Sequence, residues 1–239
     1  MADRTQHLGA IIVGLGLALA GFFIGNGIVK SRSADRFVSV KGVAERDVMA
    51  DLALWPIRHV ATGDDLARAQ ATIESHQKAI VDFLGRAGID STSVQLQGLE
   101  VEDRHAQSWV QGPVQSRFVV TQTIIVRSND VAKVRAASQN VGQLVDAGVA
   151  LGGNGAGGPT YLFTKLNDLK PQMIAEATAS ARQGATKFAQ DSGAHLGGIH
   201  RASQGVFEIQ PRDRAPGIAE ESQPEKTLRV VTTVEYLLE

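Results

Sequence analysis

The strongest constraint on this chain is the run from Leu8 to Val29, twenty-two positions in which Asn26 is the one strongly polar side chain. Coiled as a helix at ~1.5 Å per residue, the run is ~33 Å long, a match for a hydrocarbon core ~30 Å thick. A core helix of that length carries a polar face and this run has none, so its expected surroundings are lipid. Ala18-Leu19-Ala20 has the small-x-small form of a signal-cleavage site after Arg4. The apolar run nevertheless continues through Phe22, Phe23 and Ile24, which favours a retained anchor over a cleaved signal. Gly21 and Gly25 have the spacing at which two membrane helices approach closely. The predicted division is a tail over 1–7, an anchor or signal segment over 8–29, a polar tether over 30–36 and one domain over 37–239.

The domain is long enough to bury a substantial core: the chain has 239 residues, 43% of them hydrophobic. With 24 basic and 25 acidic residues the formal charge is -1, so no footprint for a polyanion is visible and nucleic acid is not expected as a partner. There are no cysteines, which excludes thiolate chemistry, zinc ribbons and disulfides. The readily oxidised sulfur is confined to Met1, Met49 and Met173.

Periodicity predicts strands over Phe37–Val43 and Leu52–Ala61, with a turn at Asp47–Asp51 and with Pro56 marking an edge or a bulge. Leu66, Ala69, Ile73, Ile80 and Phe83 recur at helical spacing between Asp64-Asp65 and Gly88. Strands follow over Val94–Val101 and Phe118–Val126, separated by a polar hairpin loop from Glu102 to Gln115. Next come a helix over Asp130–Asp146, a glycine-rich connection, a short strand over Tyr161–Thr164 and an alanine-rich helix over Asp168–Ser192 with Pro171 in its first turn. The last strands are Ile199–Ile209 and Leu228–Leu238, separated by the proline-bearing loop Gln210–Lys226. Helix, strand, polar loop, strand occurs over Asp64–Val126 and again over Asp168–Leu238, and both closing strands carry Val-Val-Thr, at Val119-Val120-Thr121 and Val230-Val231-Thr232. The fold class is α+β: two related halves with helices packed on a largely antiparallel sheet.

No set of residues nominates a catalytic, cofactor or metal site. Gly153 to Gly158 satisfies G-x-G-x-x-G, but Pro159 and a strand follow where phosphate binding needs a helix N-terminus, so a flexible connection is expected. His195 and His200 flank Gly197-Gly198 near Asp191 at a spacing that fits no standard metal site, and read as surface histidines. Glu100, Glu102, Asp103 and His105 lie where a strand enters the long loop, and read as a solvated hairpin tip rather than a cation site. Ser203 lacks the first glycine of a nucleophile elbow. Trp109 is chief among the exposed loop aromatics that would mark a protein contact.

The strings VSVKGVAERDVMADLALWPIRHVATGDDLARAQ, FLGRAGID, FVVTQTIIVRS, VAKVRAASQNVGQLVDAGV and VVTTVEYLL, in that order, resemble the SIMPL-domain family over nearly everything after Phe37. The resemblance implies an exported or anchored bacterial envelope protein, with immunogenic and oxidative-stress-related members among its relatives and homo-oligomeric rings in some. It brings no catalytic residues to transfer. Lys30, Arg32 and Arg36 behind the apolar run oppose the outward orientation it implies, though a long domain makes that charge rule a bias only.

The expected function is therefore a non-enzymatic envelope protein, held in the inner membrane through residues 8–29 with its domain in the periplasm, that self-assembles into a scaffold or ring. Secretion to the periplasm after signal cleavage is the alternative location. A module that captures a small ligand or envelope component, with the glycine-rich and proline-rich loops as movable walls, is the alternative function. An enzyme of unfamiliar type comes last.

Overall fold

A computed structural model describes residues 14–25, 36–106, 115–152 and 157–239. Residues 14–25 are helical (α1), and every one of them is exposed, with Leu17 at 70% and Phe23 at 69%. At ~1.5 Å per residue this stretch is only ~18 Å long. Among the described residues no helix is long and apolar enough to cross a membrane, so the spanning helix expected over residues 8–29 is not observed. Residues 8–13 and 26–29 lie outside the described residues.

The remaining elements are strands β1 (Phe37–Met49) and β2 (Leu52–Gly63), helix α2 (Leu66–Arg86), strands β3 (Val94–Leu96), β4 (Glu100–Asp103) and β5 (Phe118–Ser128), helices α3 (Val131–Gln139) and α4 (Gly142–Asp146), strand β6 (Thr160–Leu162), helix α5 (Leu166–Asp191), and strands β7 (Leu196–Gln204), β8 (Glu208–Pro211) and β9 (Glu225–Leu238). They divide into two units. An inserted unit comprises Arg46–Lys170 and Ile209–Leu228, and a terminal unit the described residues up to Glu45 with Pro171–Glu208 and Arg229–Glu239. The fold is α+β, as the sequence predicts.

In the inserted unit a five-stranded sheet has the order β3-β5-β2-β6, with β4 also pairing β5. β2 and β5 are antiparallel from Ala53↔Ser128 to Gly63↔Phe118. Pro56 therefore lies in a central strand, not on the predicted edge. Its neighbours of the same parity explain why it is tolerated: Val60 N–H donates to Ala150 O and Arg58 O accepts from Gly152 N–H, so the even residues of β2 face away from β5. The N–H that proline lacks would point into the space beyond the end of β6, and no β5 bond is lost.

The odd residues Ala53, Trp55 and Ile57 meet Ile80, Phe83 and Leu84 of α2 in the main core. Burying each large side chain of this kind is worth about 1.5–3 kcal/mol. Asp65 caps α2 by accepting from Arg68 N at 2.9 Å. Gly88, at φ 74°, ends it: its N–H reaches Gly85 O while Ile89 N reaches Leu84 O. Gly193 repeats this termination after α5, at φ 70°, with Gly193 N to Gln190 O and Ala194 N to Ala189 O. Both turns need a left-handed residue, which glycine adopts without a Cβ penalty.

A four-stranded sheet has the order β1-β9-β7, with β8 also pairing β9, and the terminal unit holds β7 with β1 up to Glu45 and β9 from Arg229. Leu238 N–H donates to Arg36 O and Arg229 pairs with Glu45 at 2.9 Å, which runs β1 antiparallel to β9. α5 buries Met173, Ala177, Ala181, Ala185 and Ala189, one residue every four. Of these, Ala181 and Ala185 pack with Val40, Val234 and Tyr236. The alanine row permits close contact: a Cβ on Gly42 would overlap the Ala177 carbonyl and stand 2.5 Å from Ala181 N.

The topology makes the internal echo concrete. β5 carries β2 on one side and β3 with β4 on the other, and β9 carries β1 on one side and β7 with β8 on the other. In each case a long helix precedes the paired short strands. Three predicted elements are interrupted. The helix over Asp130–Asp146 breaks into α3 and α4, because Asn140 turns its side-chain amide onto Ala136 O at 2.8 Å and Gly142 follows. The strand over Val94–Val101 breaks at Gln97–Leu99 into β3 and β4. The strand over Ile199–Ile209 begins earlier, at Leu196, and breaks at Gly205, whose N–H bonds Val231 O at 2.8 Å and whose Cβ would stand 2.9 Å from that oxygen.

Candidate functional site

The residues singled out from sequence do not converge. Asp103, at the end of β4, accepts from Arg117 Nη2 at 2.8 Å and Nε at 3.2 Å and from His105 N at 3.0 Å. The Arg117 guanidinium holds the Asp103 carboxyl below its ordinary range. Arg117 also lies over the Phe118 ring, 4.7 Å from its centroid. The carboxylate is spent on fixing the hairpin base, and Glu100 meets Arg58 at 3.5 Å. His195 closes a two-way backbone pair with Glu239, and His200 stacks on Phe37 at 5.9 Å. Ser203 sits exposed on β7 opposite Thr233. Among the described residues no three His, Asp or Glu side chains are grouped to hold a metal. Trp109 and Gly153 to Ala156 lie outside the described residues.

The end of the glycine-rich stretch and the proline-bearing loop, named from sequence as the walls of a ligand module, border a cleft in the inserted unit whose other walls the sequence did not reveal. One cavity of about 580 Å³ is lined by Arg135, Ser138 and Gln139 of α3, by Gly158 to Tyr161 leading into β6, and by the proline-bearing loop at Asp213 and Glu221 to Glu225. A second, of about 190 Å³, shares Ser138 and Gly158 with it and is lined further by Trp55, Pro56, Ile57, Arg58, Val141, Leu151 and Gly157. The larger chamber is polar and the smaller one mostly apolar. The annex owes its existence to the short β6: the sheet stops pairing β2 after Leu54, and Pro56 cannot recruit another strand there.

The loop wall is anchored at several points. Lys226 is fully buried and donates to the Glu220 carbonyl at 2.8 Å and to the Glu220 carboxylate. Asp213 and Gln223 bond each other twice, at 2.9 and 3.3 Å, while Ser222 Oγ donates to Ala219 O. Arg135 meets Glu225 at 3.1 Å across the chamber floor. Tyr161 is nearly buried; burial raises its phenol above the ordinary range, with a hydrogen bond to Ser138 acting the other way. The hydroxyls, carboxylates and exposed backbone suit recognition.

A polar cluster lies elsewhere in the same unit. His59 of β2 is fully buried and His76 of α2 is 8% exposed, their rings 6.1 Å apart. Both His59 nitrogens, His76 Nδ1 and the facing Gln122 Oε1 make no direct hydrogen bond of good geometry. Burial lowers the pKa of both rings. Sequence did carry this signal. His59 occupies the odd, buried phase of Ala53, Trp55, Ile57 and Ala61, and His76 falls on the apolar stripe between Ile73 and Ile80. Apart from its two loops, the cleft had no such signal, because its remaining walls on β2 and α3 come from segments far apart in the chain.

No curated protein shows a significant match to the chain. A family model does: SIMPL, described as a protein of unknown function (DUF541), matches residues 38–236, which takes in both sheets and all but the start of the first strand and the end of the last. The chain belongs to the SIMPL family.

Proposed function

We propose that this SIMPL protein is a membrane-tethered, non-enzymatic binding module of the bacterial envelope whose cleft holds a small ligand or envelope component. The observation that carries the reading is the pair of adjoining chambers, polar and apolar, bounded by Gly157 to Pro159 on one side and the loop from Asp213 to Glu225 on the other. Sites of this kind combine an apolar lining with a few polar groups that fix orientation. The exposed leucines and phenylalanines of α1 support tethering, since a row of such side chains in water is unfavourable and lipid would cover them. Native mass spectrometry of the full chain, purified from membranes in mild detergent, tests the binding reading. A stoichiometric small-molecule adduct, lost on denaturation and lost in Val141→Phe, is expected. A chain that carries no adduct from any envelope extract overturns it. Reporter fusions at the C-terminus test the location, where activity confined to the cytoplasm would refute an envelope role.

Self-assembly into a scaffold or ring is the second reading, favoured by one feature. β1 is a thirteen-residue edge strand, and β7, at the opposite side of that sheet, is exposed along most of its length. Long open edges are templates for pairing with another copy. A monomer at micromolar concentration by light scattering would dismiss this reading.

A further inference from the structure

We propose that His59 and His76 form a two-coordinate site for a soft monovalent metal ion, copper(I), in the core of the inserted unit and apart from the cleft. Distance comes first. A metal held ~2.0 Å from one nitrogen of each ring allows ring centroids at most about 6.4 Å apart. The two centroids are 6.1 Å apart, so the ion lies nearly in line between the rings. Both His59 nitrogens and His76 Nδ1 are buried without a direct hydrogen bond, so lone pairs are at hand and no existing bond of good geometry must be broken to use them. His59 has no exposed surface, whereas His76, at 8%, reaches solvent and is the point of entry.

The donor set selects the ion. Burial lowers the pKa of both rings, so at neutral pH each is uncharged and keeps one N–H and one lone pair. The Ile57 carbonyl and the Gln122 amide beside His59, and the Gly148 carbonyl beside His76, are the acceptors for those N–H groups. Outer contacts of this kind decide which nitrogen of a ring faces a metal. Among the described residues no third His, Asp or Glu joins the two rings. The same faces carry the buried residues Ile57 and Ala61 of β2, Ile73 and Ile80 of α2, and Val120 and Ile124 of β5. Zinc and copper(II) favour three or four protein ligands, and either would bring two positive charges into this apolar setting with no anion to offset them. Copper(I) carries one charge and, with a closed d shell, accepts two nitrogens in line.

The test uses the full chain in mild detergent under argon, with copper(I) maintained by ascorbate and zinc(II) as the comparison ion. After desalting, the parent is expected to retain one equivalent of copper(I) whose X-ray absorption spectrum reports two nitrogen donors in line, and to retain no zinc(II). His59→Leu continues the apolar phase of β2, and His76→Gln keeps a polar group at the edge of α2; circular dichroism confirms that each is folded. Each weakens copper(I) binding at least about 100-fold, since even the outer contacts of a metal ligand are worth about 10–100-fold. His200→Gln, at the exposed ring stacked on Phe37, is the control and retains the full equivalent. Full retention of copper(I) by either folded variant of the pair puts the ion elsewhere and overturns the site. A parent that retains no copper(I), or a spectrum with three or four donors, overturns it as well. Retention of zinc(II) that is lost in the same two variants overturns the choice of a monovalent ion.

Discussion

Replacing Gly42 by alanine adds one methyl group where the terminal unit has no room for it. The new Cβ would overlap the carbonyl of Ala177, and stand 2.5 Å from Ala181 N and 2.9 Å from Ala181 Cβ. Two of these neighbours are backbone atoms of α5 and cannot rotate away, so strand and helix must part, or the helix backbone must shift, before ordinary contact is restored. A radial gap of 0.5–1 Å forfeits roughly a quarter to a half of each dispersion well along the seam. The seam is built from small residues, Ala177, Ala181 and Ala185, whose few contacts depend on that proximity. Overpacking of a close-packed core costs about 1–3 kcal/mol, and the upper end applies here because the clash is with backbone. For a chain of this size about 3 kcal/mol lowers Tm by about 6–12 °C. Gly184→Ala is the matched control: its Cβ meets nothing within 4 Å, and alanine in a helix interior is favoured over glycine by about 0.8–1 kcal/mol, so this variant gains stability. Urea unfolding of both variants, followed by circular dichroism, measures the difference. A Gly42→Ala protein within 0.5 kcal/mol of the parent, or two variants shifted in the same direction, would refute the close-packed seam.

Further outcomes follow from single contacts. Asp65→Ala removes the acceptor for Arg68 N and lowers stability by about 1 kcal/mol, measured by the same urea titration. Lys226→Met removes the buried ammonium that fastens the loop at Glu220; limited proteolysis then cuts between Arg212 and Pro224 at least ten-fold faster, and an unchanged rate would mean that the loop is held by other contacts. For His59 and His76 the folded pKa lies below the unfolded value of about 6.5, because burial disfavours the charged ring. Below pH 6.5 the unfolded chain binds more protons than the folded one, so stability present above that pH is lost as pH falls through it, by at most ~1.4 kcal/mol per pH unit for each group. Unfolding midpoints at pH 7.5 and 5.0 should diverge in the parent and converge partly in His59→Leu; equal divergence in both would remove these rings as the cause.

Most of the fold was legible because it follows from local rules. The apolar stripe of α2, its Asp65 cap and its Gly88 stop are all written in adjacent residues, and the structure uses each of them. The repeated termination at Gly193 and the shared Val-Val-Thr marked the internal echo, although β1 and β9 pair across nearly the whole chain and no local pattern announces that. The misreadings occurred where one residue competes with a periodic neighbourhood. Asn140 diverts a backbone carbonyl to its own amide and splits a helix that the spacing of Val134, Val141 and Val145 would continue. Pro56 reads as an edge marker because sequence does not show which side of a strand is paired. β2 is central along its β5 side and open beside Pro56 on the other, so the residue obeys the rule it seemed to break.

That same open flank explains why sequence offered only the two bordering loops of the cleft and not its chambers, while the histidine pair could have been found. His59 and His76 interrupt two apolar periodicities, and an interruption is visible in one dimension. The cleft is instead the consequence of a strand that stops: β6 pairs β2 at three positions only, Pro56 offers no donor to extend the ladder, and the chain passing through Gly157 and Gly158 has no side chain to fill the space. Each of these is an ordinary loop or edge feature on its own. Their coincidence with Arg135 of α3 and with the loop fastened by Lys226 depends on folding over separations of up to about 170 residues, from Trp55 to Glu225. A cleft made from what secondary structure leaves out has no motif, and this chain presents a shaped, charged and partly apolar chamber without one.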